Sequence, residues 1–254
     1  MVYRHAWRIS KAGGVCMSYF KKYYGVYVFV CLMGLLAAML LSRAGGAITA
    51  MVAEPDLTPT VVIDAGHGGE DGGALSHSGV QESSINLEIS LRLNDLMHFL
   101  GVRTRMIRTS DIAVYTEGAQ TIAEKKVSDI HNRVKMVEET PNALLVSIHQ
   151  NNFPEAKYRG AQVFYAATEG SESLAKQTQQ YLATHVDTKN HRECKAAKDI
   201  YLMKHVSCTA ILVECGFLSN EAEEQLLRDE CYQKKLASAI CCSVIDYLEE
   251  ENEV

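Results

Sequence analysis

The first 53 residues contain no acid, and from Tyr23 to Ser42 there is no charged residue of either sign. Proline is scarce, at 4 in 254 residues, while 47% of the residues are hydrophobic, which excludes a disordered, collagen-like or low-complexity chain. No Cys-x-x-Cys pair is present, so a zinc knuckle is excluded. No His-Glu-x-x-His occurs either, so a metal site has to be assembled from distant segments. No internal repeat or second globular module is visible, which leaves one domain over residues 60–250.

The missing acids divide the chain electrostatically. Six of the 25 basic residues (Arg4, Arg8, Lys11, Lys21, Lys22 and Arg43) and none of the 31 acids lie in residues 1–53. The remainder therefore carries 19 basic residues against 31 acidic ones, a formal charge of −12. A body that acidic has no general field for phosphates, so no nucleic acid is expected as a partner.

The uncharged stretch, rich in Val, Leu and Phe, reads as a transmembrane helix over residues 23–42. Twenty residues at about 1.5 Å each match a hydrocarbon core of roughly 30 Å. Five basic residues precede it and only Arg43 follows closely, which places residues 1–22 in the cytoplasm and the body outside. The run Ala44-Gly45-Gly46-Ala47 offers a cleavage site, in which case the body is secreted; the length of the apolar core favours an uncleaved signal-anchor instead. Residues 43–59 read as a linker. The eight cysteines are scattered, and Cys241-Cys242 falls within a helical pattern, so buried free thiols are expected rather than a disulfide framework.

Beyond the linker, short apolar runs alternate with amphipathic ones. Strands are expected at Val61–Asp64, Val102–Thr109, Ala143–Ile148, Ala161–Ala167 and Ala210–Val213. Helices are expected at Ser84–Leu100, 120–139 and 171–186. A C-terminal helix follows, with Leu236, Ile240, Val244, Tyr247 and Leu248 on one stripe. This alternation predicts an α/β domain with a mostly parallel sheet flanked by helices.

Three of the expected strands run into polar clusters: Asp64-Ala65-Gly66-His67-Gly68-Gly69, His149-Gln150-Asn151-Asn152, and Glu214-Cys215-Gly216-Phe217-Leu218-Ser219-Asn220. In open α/β sheets ligands bind beyond the carboxyl ends of strands, so these clusters can share one site. Two histidines and a carboxylate make a hydrolytic zinc site with an open position. His67 and His149 are the histidines. Glu82, just before the Ser83-Ser84 start of a helix, is the third candidate ligand, since a helix N-terminus favours the ionised carboxylate. Glu214 remains as the general base. The blander alternatives are a helix cap for Glu82 and a structural ion pair for Glu214. Asn151 and Arg133 are weaker candidates for substrate contact, Arg133 having an ordinary helix-surface or ion-pair role as its alternative. Asp64 and Asp71 read as turn-shaping or ligand-supporting residues, and His77, His98, His131, His185, His191 and His205 as surface or structural ones.

The blocks around His67 (Asp-Ala-Gly-His-Gly-Gly-Glu-Asp-Gly-Gly-Ala), then Glu82, Ser-Ile-His149-Gln-Asn and Val-Glu214-Cys-Gly-Phe-Leu-Ser-Asn resemble the signature blocks of the zinc N-acetylmuramoyl-L-alanine amidases, in order over residues 60–248. Within that family the chain is similar to the germination-specific, spore-cortex type, and Arg108-Thr-Ser-Asp111 and Ile200-Tyr-Leu-Met-Lys204 share its character. The resemblance implies Zn2+ on His67, Glu82 and His149, with Glu214 catalytic. It implies hydrolysis of the amide between muramic acid and L-alanine in peptidoglycan, during cortex maturation that leads to muramic lactam. It further implies a peptidoglycan deacetylase acting in the same process, leaves room for an accessory protein, and places the enzyme at the spore envelope. Ser83 departs from the basic or amide residue usual after Glu82, and Glu138 stands where an Asn is common. Two rival readings are a glycan-binding module without turnover and a zinc peptidase cutting within the stem peptide.

Overall fold

The computed structural model describes residues 23–39 and 58–252. The expected cytoplasmic residues 1–22, the run Ala44–Ala47 and most of the linker lie outside the described residues. Two units result, residues 1–56 and 57–254. In the first, helix α1 covers residues 23–39, with Phe29, Leu35 and Met39 among its exposed apolar side chains. Seventeen helical residues reach about 26 Å, short of a hydrocarbon core of roughly 30 Å. No helix among the described residues is long and apolar enough to cross a membrane, so the expected transmembrane helix is not borne out there; the rest of the stretch lies outside the described residues.

The second unit carries strands β1 (Thr60–Ala65), β2 (Thr104–Met106), β3 (Ala143–Asn151), β4 (Gln162–Tyr165), β5 (Lys195–Ala196) and β6 (Thr209–Phe217). Its helices are α2 (Glu82–Phe99), α3 (Ile122–Glu138), α4 (Ser171–Tyr181), α5 (Tyr201–His205), α6 (Glu221–Leu227) and α7 (Glu230–Asn252). The strands form one sheet in the order β2-β1-β3-β6-β4-β5. The pairs β1–β2, β1–β3 and β3–β6 are parallel, as the strand–helix alternation predicts. β4 runs antiparallel to β6, however, and β5 is parallel to β4, so the sheet is mixed.

Both faces of the central strands are buried, and period-2 alternation assigns each residue to a face. Val61, Ile63, Leu144, Val146, Ile148, Ile211 and Val213 pack under α2, α4 and α7. Val62, Leu145, Ala210 and Leu212 pack under α3 and α5. The expected stripe on α7 is buried at Leu236, Ile240, Val244 and Tyr247. Cys241 is buried while Cys242 is exposed, because adjacent helical positions point about 100° apart. All seven described cysteines are free, although only Cys215 and Cys241 are buried.

Chain order creates the crevice. The path from β1 leaves towards β2 on one side and returns to β3 on the other, so the topological switch point lies between β1 and β3. Register aligns Ala65 with Ile148, and His149 with Glu214, at the carboxyl ends. A bulge follows between His149 and Asn151, where β3 bends out of the ladder.

Candidate metal centre

Three elements bring the ligand candidates together. His67 follows β1, His149 lies near the end of β3, and Glu82 is the first residue of α2 rather than the residue before it. His67 Nε2 lies 3.3 Å from Glu82 Oε2, and His149 Nδ1 lies 2.9 Å from Glu82 Oε1. The three ligand atoms fall within 4.8 Å of one another, and this is the one such group found among the described residues. A tetrahedral ion with bonds of about 2.0–2.2 Å holds its ligand atoms about 3.3–3.6 Å apart, so the donor set fits zinc.

The surroundings are shaped to this cluster. A Cβ on Gly66 would stand 2.2 Å from His149 Nε2, and one on Gly73 would stand 2.6 Å from Glu82 Oε2. Both positions exclude a side chain. His67 itself has φ +60°, a left-handed conformation that costs a non-glycine residue about 1–3 kcal/mol and requires local compensation. Asp71 Oδ2 takes the other ring nitrogen, His67 Nδ1, at 3.0 Å, leaving Nε2 to face Glu82. A carboxylate behind a metal-binding imidazole fixes its tautomer and orientation. Lys126 pairs with the second Asp71 oxygen at 2.9 Å.

Glu82 is 4% exposed and well supplied with donors. Ala74 N donates to Oε2 at 2.9 Å, and Asn86 Nδ2 and Gln150 N donate to Oε1 at 3.2 Å each. Burial alone would favour its neutral form, but the hydrogen bonds and charges of His149 and His67 hold the carboxyl far below the usual range. Burial likewise disfavours the His67 imidazolium, yet Glu82 and Asp71 raise its pKa to about 9.

Glu214 differs from these. Burial pushes its pKa up to about 7, with the Glu82 charge adding to the effect and the two histidines opposing it. Its Oε2 atom is buried and has no hydrogen-bond partner among the described residues. A carboxylate poised near neutral pH and open on one oxygen suits proton transfer. Glu214, His67 and His149 share the lining of a cleft of roughly 280 Å³ with Asp71, Lys126 and Tyr201.

The weaker candidates are placed differently. Arg133 is 2% exposed, and its guanidinium pairs with Asp64 and Asp129 and donates to the main-chain oxygens of Ala65 and His67. Asn151 ends β3 and accepts a hydrogen bond from Leu218 N through its own carbonyl, away from the cleft lining. Ser83 presents its carbonyl to Arg108 while its Oγ is buried without a hydrogen-bond partner among the described residues, and Glu138 accepts from Ser207 N and Oγ outside the cleft. Asp64 is buried on Arg133 and Ser147 Oγ, as a supporting residue should be. His77, His98, His131, His185, His191 and His205 are all exposed. Sequence reasoning gave Arg108 no role of its own; the one available signal was an arginine directly after Met106-Ile107 in a strand-like run.

The chain is similar in sequence and fold to known proteins. A family model described as N-acetylmuramoyl-L-alanine amidase matches residues 61–246. The germination-specific N-acetylmuramoyl-L-alanine amidase of Bacillus subtilis is 35% identical over 194 residues, covering 76% of this chain and 81% of that protein. The CwlD amidase of Clostridioides difficile, solved in complex with the GerS lipoprotein, superposes with a TM-score of 0.73 at 41% identity, over 75% of this chain and 98% of that one. The amidase AmiC2 of Nostoc punctiforme follows with a TM-score of 0.66 at 28% identity, over 76% and 98% of the two chains.

Proposed function

The chain belongs to the N-acetylmuramoyl-L-alanine amidase family, and from that premise we propose that it is a zinc enzyme of the spore cortex. It hydrolyses the amide between the lactyl carboxyl of muramic acid and the L-alanine of the stem peptide. The observation that carries the zinc reading is the convergence of His67, Glu82 and His149 beside Glu214, whose buried oxygen lacks a hydrogen-bond partner among the described residues. A zinc ion held by those three residues supplies a Lewis acid for the scissile carbonyl and lowers the pKa of a water.

The protein supplies the rest. Glu214 takes a proton from the attacking water and returns it to the departing L-alanine nitrogen as the C–N bond breaks and the new C–O bond forms. Asp71 holds the His67 ring in place throughout. The site needs no proton from His67, whose Nδ1 is committed to Asp71 and whose Nε2, facing Glu82, would hold the metal.

Two resemblances support the cortex assignment, to the germination-specific amidase and to the CwlD amidase. The second was solved with a lipoprotein, which supports an accessory protein for this chain as well. Peptide removal leaves muramic acid ready for lactam closure once a deacetylase has exposed its amine. The body then works outside the cytoplasm. Attachment through residues 23–42 rests on the uncharged apolar stretch and the charge asymmetry around it; cell fractionation with external protease tests it, and a body protected in the cytosol would exclude it.

Mass spectrometry of digested peptidoglycan tests the reaction itself. Intact stem peptides beginning with L-alanine, together with peptide-free glycan, are the expected products. Shortened stems still attached to muramic acid would show a peptidase instead.

A further inference from the structure

Two buried arginines surround the candidate metal centre without lending it a ligand. Arg108 is 2% exposed, and its four hydrogen bonds all go to main-chain carbonyls: Nε to Ala65 at 2.7 Å, Nη2 to Gly66 at 3.0 Å and to Ser83 at 2.8 Å, and Nη1 to Ser110 at 3.1 Å. Arg133 donates to the carbonyls of Ala65 at 3.0 Å and His67 at 2.7 Å. The carbonyls of three successive residues, ending in His67, are thus held by guanidinium groups from two separate segments. Arg108 also reaches the carbonyl of Ser83, the residue after Glu82. It therefore braces the His67 loop against the start of α2.

We propose that Arg108 and Arg133 are positioning residues that set the spacing of His67 and Glu82 before a metal arrives. The inference rests on the zinc reading above. His67 sits in a left-handed conformation, and a chain left to itself would relax out of it. Arg133 bonds the carbonyl of that very residue, while Arg108 fixes the two residues before it and the far side of the cradle. The chemistry favours arginine over lysine here: a planar fork bonds two or three carbonyls in fixed directions, whereas a single ammonium cannot span them. Arg133 has Asp64 and Asp129 to balance its charge, while Arg108 makes hydrogen bonds to carbonyl oxygens alone. That is the pattern of a brace for the backbone.

The test compares zinc affinity in the full-length protein, by competition with a chromogenic chelator, for wild type, Arg108→Lys and Arg133→Lys. Ile240→Ala serves as a control, destabilising the α7 stripe outside the cleft lining. Loss of a residue that orients a ligand typically weakens metal binding about 10–100-fold, which is expected for both lysine variants. Ile240→Ala should stay within about twofold of wild type, since distant sites act independently. Cobalt in place of zinc should give altered absorption bands in the lysine variants and unaltered ones in the control. Wild-type affinity and spectra in both lysine variants would overturn the proposal, as would an equal loss in Ile240→Ala. So would failure of both lysine variants to fold, since the arginines would then serve the fold rather than the metal. If wild type binds no zinc, the zinc reading itself fails, an outcome separate from all of these.

Discussion

At the residue scale, the site is made as much by what is left out as by what is present. Gly66 is required by space alone: a Cβ there would overlap His149 Nε2 at 2.2 Å. Gly66→Ala is accordingly expected to displace the His149 ring and lose zinc while the domain still folds. Elemental analysis beside circular dichroism checks this, and retained zinc would show that the ring can move aside. His67, Glu82, His149 and Glu214 were all legible from the polar clusters at strand ends and the family blocks. The network beneath them was less so. Arg133 looked like a helix-surface residue because neighbouring residues on α3 are polar; burial by the His67 loop is a tertiary fact with no local signature. Asp64, the partner of Arg133, also carries a pH consequence. Burial alone would raise its pKa, but the charges of Arg133 and His149 and the Ser147 hydroxyl hold it below its ordinary 3.8. Its contribution to stability is therefore complete above about pH 4 and is lost as pH falls through the lower, folded value. Denaturation midpoints should fall in that acid range for wild type. Asp64→Asn should lack that part of the slope and be about 3–5 kcal/mol less stable at neutral pH, because it leaves Arg133 short of a buried partner.

At the element scale, long periodic segments were readable and short or direction-dependent ones were not. The core strands β1, β3 and β6 and helices α2, α3 and α7 match their expected places. β6 runs on to Phe217, beyond the expected end at Val213, because its pairing with β3 persists past the charged Glu214 and across the bulge. The segment expected as helix over 171–186 changes to a π-helical turn at Leu182–Val186. The strand expected at Ala161–Ala167 is present as β4, but its antiparallel direction escaped prediction, because alternation of side chains says which face a residue takes and nothing of strand direction. The two-residue β5 and five-residue α5 are too short to show a period. The α7 stripe was visible for the opposite reason, and it supports the sheet through α2 and α4. Ile240→Ala should cost about 2–5 kcal/mol of stability, measured by chemical denaturation. A loss below that range would mean the stripe closes over the cavity.

At the scale of the whole molecule, the acidic body is consistent with a partner that is not a polyanion, and the switch-point crevice gives that partner one place to bind. Glu82 lies against both His67 and His149, so an ion held there ties together β1, α2 and β3. Metal binding should then add to stability by mass action. Zinc at a hundredfold excess over its dissociation constant contributes about 2.7 kcal/mol. Chelation should lower the melting temperature of a body this size by about 5–10 °C. An unchanged melting temperature would mean that no ion was bound.

The division of labour between ligands and proton carrier is decided by the zinc content of Glu214→Gln, read beside peptide release from purified peptidoglycan. Glutamine keeps the size of Glu214 but cannot accept and return a proton, so activity should fall at least about 10²–10⁴-fold. The expected result is zinc at the wild-type level in a protein that no longer releases stem peptides, whereas His67→Ala and His149→Ala lose both. A Glu214→Gln protein that arrives without zinc would make Glu214 a ligand and leave Glu82 as the proton carrier, contradicting the site described above.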